Sequence, residues 1–172
     1  MHWLHPVSLI TSLALWVLYA CWEGRREAQF YYLLWCPELN EKKNGVEWLK
    51  RKNLHPFFTV QRSFVYLLVV AIKCFDLIYQ NEQYAWWELL VLVSASFLTP
   101  VFIFPFFHDG SYYKEYNKLS NKNYPEGWWS ESVTSKAILE FGKYQRIALL
   151  FISFMLVVLE VLMITLNLCN GN

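Results

Sequence analysis

Residues 147–169 read IALLFISFMLVVLEVLMITLNLC, a run whose only charge is Glu160. The hydrocarbon core of a bilayer, about 30 Å thick, needs roughly 20 apolar residues in a helix to cross it. This run meets that length, so it predicts a membrane span. Three comparable runs lie upstream. Residues 84–107 carry Glu88 as their only charge, with Pro100 and Pro105 in the later half. Residues 63–79, which include FVYLLVVAIKCFDLIY, hold Lys73 and Asp76. Residues 3–22 contain no Asp, Glu, Lys or Arg, and are interrupted by His5, Ser8, Thr11 and Ser12. A soluble core has room for one such run, not four.

The expected fold is an all-α integral membrane protein, one membrane domain over residues 1–172. Four transmembrane helices are placed at about 3–22, 63–79, 84–107 and 147–169, separated by two long loops, 23–62 and 108–146. Composition agrees: 56% of residues are hydrophobic and 19% aromatic. Only 17% are charged, against about 25% in soluble domains. A net charge of +1 argues against a nucleic-acid partner, which favours a strongly basic surface. The first run is expected to remain as a helix rather than act as a signal peptide. No Lys or Arg precedes Arg25, and the run exceeds the roughly 7–15 apolar residues of a signal core.

Basic residues set the expected threading. The first loop, counted to the next helix, holds Arg25, Arg26, Lys42, Lys43, Lys50, Arg51, Lys52 and Arg62. The third holds Lys114, Lys118, Lys122, Lys136, Lys143 and Arg146. The N-terminal segment, residues 80–83 and the C-terminal tail hold none. Both long loops are therefore expected in the cytoplasm and both termini outside, as in a bacterial inner or plasma membrane. The loops are expected to contain short helices: GRREAQFYYLLW extends the first span, and GSYYKEYNKL repeats Tyr112, Tyr116 and Leu119 at helical spacing. Ser130 or Ser132 is the expected cap of a helix leading into the fourth span.

The two halves echo each other. Glu23-Gly24 recurs as Asp109-Gly110, and Gln61-Arg62 as Gln145-Arg146. Fourteen residues beyond each arginine lies an acid, Asp76 (76 − 62 = 14) and Glu160 (160 − 146 = 14). A tandem duplication of a helical hairpin accounts for this register, a known construction in membrane proteins. Independently of ancestry, Glu23 and Asp109 end a helix where Arg62 and Arg146 begin one, giving two inner-interface acid–arginine pairs.

Charges inside a bilayer need partners or water. Lys73, Asp76, Glu88 and Glu160, with His5, form the expected intramembrane polar cluster, in which Lys73 and Asp76 share a helix face. His55 and His108-Asp109 are too sparse a pattern to indicate a metal site. Cys21, Cys36, Cys74 and Cys169 lack zinc-ligand spacing and read as free thiols. No hydrolase, metalloprotease, phosphate-loop or dinucleotide motif is present, so neither enzyme activity nor a cofactor is expected. Two functions fit. The first is an oligomeric cation or proton pore or carrier using the intramembrane acids. The second is a non-catalytic scaffold or accessory protein whose loops dock a partner protein or anionic lipid, with the bilayer and a second copy as further expected partners.

Overall fold

The structure, a computed structural model, describes residues 4–35, 55–79, 84–120 and 142–170, with side chains described for 7–32, 58–75, 77, 84–120 and 142–166. These residues form four helices: α1 (Leu4–Trp35), α2 (His55–Tyr79), α3 (Trp86–Ser120) and α4 (Lys143–Asn170). Each is long and apolar enough to cross a membrane. The chain is thus all-helical across its described residues and built as an integral membrane protein.

Two helices outrun the bilayer. At about 1.5 Å per residue, the 32 residues of α1 span roughly 48 Å and the 35 of α3 roughly 52 Å. The apolar runs end near residues 22 and 107, but the helices do not. GRREAQFYYLLW continues α1, as expected, and HDGSYYKEYNKLS continues α3 as further turns of the span rather than as a separate loop helix. Aromatic residues then hold the extensions together. Tyr31 packs edge-on against Tyr112, and Tyr32 against Tyr116. The expected helix near Ser130 and Ser132 lies outside the described residues.

The contacts give the helix directions. Trp16 meets Pro100, Cys21 meets Phe107 and Gln29 meets Glu115, so positions rise together and α1 and α3 are parallel. Glu23 meets Arg62 while Phe30, farther along α1, meets Phe58, earlier in α2. That pair is antiparallel. Asp109 meets Arg146 and Ser96 meets Glu160, so α3 and α4 are antiparallel as well. The α1–α3 seam is the most extensive contact in the bundle. The backbones come close at Gly24, where a Cβ atom would overlap the backbone carbonyl oxygen of His108 and lie 3.1 Å from the Tyr112 nitrogen. Only a glycine admits that approach.

Trp16, Ala20, Val69 and Phe104 form one core cluster. Leu77, Tyr84, Leu92 and Ile164 form another, nearer the termini. The outward faces of α2 and α4 stay apolar, with Phe64, Leu67, Phe75, Phe151, Phe154 and Leu166 each more than half exposed. In water that surface would be a liability; against lipid it is the expected solvent-facing side. Pro100 and Pro105 lie inside α3. Each lacks the N–H that would bond the carbonyl four residues earlier, yet the helix continues through both.

Candidate functional site

Buried charge is gathered at two levels of the bundle. The deeper level centres on Lys73 of α2 and Glu160 of α4. Taking Arg62 and Arg146 as the boundary, these lie about 16 Å and 21 Å along their helices. The Lys73 ammonium donates to both Glu160 carboxylate oxygens, at 3.0 and 3.2 Å, and both side chains are buried. The Ser96 hydroxyl of α3 donates to Glu160 Oε1 at 3.2 Å. Three helices thereby converge on one carboxylate. A cavity of about 10 Å³, room for about one water, adjoins the pair and is lined also by Ser8, Leu9, Leu77, Leu92 and Ile164. Ser96→Ala removes one hydrogen bond to a buried charge, so it is expected to cost about 1.5–3 kcal/mol, measured by thermal unfolding in micelles.

The second level lies at the loop end. Arg62 holds Glu23 through Nε (3.1 and 3.3 Å) and Nη2 (3.0 Å). Arg146 donates from Nη1 to Asp109 Oδ2 at 3.2 Å. Between these pairs sits His108, buried, with Nδ1 3.0 Å from Asp109 Oδ1 and Nε2 2.8 Å from Glu27 Oε2. The second contact has ion-pair distance, but the N–H is not aligned on the oxygen as in a hydrogen bond. Only the imidazolium carries a proton on both ring nitrogens, the form that two carboxylates favour. In that form the ion-paired groups of this level balance: Glu23, Glu27 and Asp109 against Arg62, Arg146 and His108.

An aromatic layer separates the two levels. Trp16, 2% exposed, donates its indole N–H to the Pro100 carbonyl at 2.7 Å. It packs against Tyr19, Tyr66 and Phe104. At both levels the buried charges face opposite charges of the bundle itself.

Glu88 lies in the first turn of α3, where its carboxylate accepts the Ala85 N–H at 2.8 Å; this is helix capping. Glu88 is not among the residues lining the cavity. The side chains of His5, Asp76 and His55 lie outside the described residues, as does Cys169. Among the described residues no group of three or more His, Cys, Asp or Glu side chains is arranged to hold a metal. Glu27 and Ser96 enter the two levels without a sequence motif of their own. Glu27 had one available signal: it lies four residues after Glu23, on the same helix face. Compared with known proteins, the chain matches no family model, no curated protein and no solved structure.

Proposed function

We propose that this protein is a non-catalytic membrane scaffold, with its loop end as the docking side. One observation carries the reading: the buried charges at both levels are matched by opposite charges within the bundle. Lys73 and Glu160 face each other directly, beside space for about one water. A permeating ion would have to displace a partner already in place at 3.0 Å. Such a pair instead selects which helices meet and at what register, the best-attested use of buried charge. The bundle so locked holds α1 and α3 as a parallel post running past the apolar layer.

Finer parts of the reading follow the basic residues and the repeat. Both long loops lie in the cytoplasm and both termini outside. Partners are the bilayer, a second copy, or another membrane or cytoplasmic protein. The two hairpins arose by tandem duplication. That last point is supported by contacts at a separation of 86 residues, Cys21 with Phe107 and Gln29 with Glu115. The same offset separates Glu23-Gly24 from Asp109-Gly110, so residues equivalent in that register meet at one depth across the α1–α3 seam, consistent with an axis along the membrane normal.

The test is reconstitution of the full chain in sealed vesicles under proton, sodium and potassium gradients, with an ionophore as positive control. Flux is expected to match that of empty vesicles. Flux above that background, lost in Glu160→Gln, overturns the scaffold reading in favour of the pore or carrier.

A further inference from the structure

The two arginines of the loop-end level differ in what they leave available. Arg146 is 3% exposed and covered by the Tyr113 ring, 5.7 Å from its guanidinium carbon. Arg62 is 30% exposed. It spends Nε and Nη2 on Glu23 and lies 4.5 Å over the Phe104 ring. Its Nη1 has no acceptor among the described residues. The guanidinium is therefore anchored and oriented on two sides while one donor edge faces outward.

A second guanidinium lies on the side of α1 that meets α2. Glu23, Arg26 and Phe30 are spaced three and four residues apart, so they share one side of α1. Glu23 and Phe30 both contact α2, through Arg62 and Phe58. Arg26 is exposed and folds back toward the N-terminal side, its guanidinium carbon 4.9 Å over the Trp22 ring. That returns its charge to the level of Glu23 and Arg62. Trp22 is itself 45% exposed, the placement of an interfacial tryptophan. No carboxylate pairs with Arg26 among the described residues.

We infer that the mouth of the α1–α2 groove, between Arg26 and Arg62, is a binding site for the phosphate of an anionic phospholipid headgroup. Two guanidiniums, each fixed by stacking on an aromatic ring, present donors of fork geometry to tetrahedral phosphate oxygens. Deeper on the Arg26 side of α1, at successive spacings of four, four and three residues, Trp22, Leu18 and Leu15 are exposed and run alongside the acyl chains of the same lipid. A free phosphate has the same head chemistry but no use for that face. Zwitterionic lipids carry an ammonium that competes with the two arginines, so an anionic headgroup is preferred. The site deepens the scaffold reading at its loop end, yet is tested separately: flux decides that reading, lipid retention this one.

The full chain is reconstituted in bilayers of equimolar phosphatidylcholine and phosphatidylglycerol, and retained lipid is counted by native mass spectrometry. Wild type is expected to retain phosphatidylglycerol selectively. Arg26→Gln, which touches no ion pair, is expected to lower that retention about tenfold, the loss of one charge-assisted contact. Arg62→Lys keeps a cation on Glu23 but not the fork, and is expected to lower it similarly. Arg25→Gln is the control. Arg25 is exposed too, but two residues from Glu23 it lies about 200° around the helix, and its loss should leave retention unchanged. Excess inorganic phosphate should fail to displace the lipid. Equal retention in Arg26→Gln and wild type overturns the site. So does an equal loss in Arg25→Gln, which marks general basic attraction, and displacement by phosphate marks a free-anion site instead. Should Arg62→Lys fail to fold, the Arg26→Gln and Arg25→Gln comparison decides alone.

Discussion

Replacing Glu160 by Gln is expected to destabilise the protein by about 3–5 kcal/mol, the usual consequence of removing one partner of a buried ion pair. The amide keeps the size of the carboxylate and can still accept from Ser96, so shape is not the cause. What is lost is the charge opposite Lys73, whose ammonium is buried and held by both carboxylate oxygens. Left facing a neutral amide, that ammonium has shed its water without compensation. Adding Lys73→Met to Glu160→Gln should then recover most of the loss, since the unpaired cation is gone and the methionine fills similar volume. Thermal unfolding in detergent micelles, read on both variants and on wild type, checks the sign of each step. Failure of the double variant to recover stability would show that the two residues are not energetically coupled.

The second large effect is expected at Gly24. An alanine there brings its Cβ into the His108 carbonyl oxygen and against the Tyr112 nitrogen. These are backbone atoms of a continuous helix, so no side chain can rotate away and α1 and α3 must separate. Overpacking of this kind costs about 1–3 kcal/mol, and the upper end applies because the seam also carries the Glu27–His108 contact and the Tyr31–Tyr112 packing. Gly142→Ala is the matched control. A Cβ at Gly142 meets only the Gln145 side chain at 3.6 Å, an ordinary contact. Its residual cost is that of a poorer N-cap residue, about 1 kcal/mol or less. Denaturation midpoints of the two variants, measured side by side, should differ clearly. Equal midpoints would mean that the α1–α3 seam relaxes freely at Gly24.

Both predictions turn on which faces of the helices meet, and that divides what is legible in the chain from what is not. Four helical spans are legible in the sequence because hydropathy is a local property: the bilayer acts on each run of about 20 residues independently of the others. The levels of the charged residues follow equally simply, since helical rise converts residue number into depth. The ends of the helices do not follow from the apolar runs. Hydropathy reports where α1 and α3 leave the lipid, near residues 22 and 107, whereas backbone hydrogen bonding and the tyrosine contacts carry them on to Trp35 and Ser120.

Partner choice belongs to the tertiary structure alone. From the sequence, Lys73 has Asp76 three residues away on its own helix and Glu160 on another at a neighbouring depth. The fold sets it on Glu160 and adds Ser96 from a third helix. Arg62 and Arg146 each follow a glutamine and precede an acid by fourteen residues, but Arg62 keeps an exposed edge while Arg146 is covered by Tyr113. Glu27 and His108 are brought together across the seam that Gly24 allows to close. The sequence by itself determined the spans, their depth and the positions of charge, because those depend on composition along one helix. The pairing of charges was decided only when the helices packed, because rotation about each helix axis is set by the neighbours it meets.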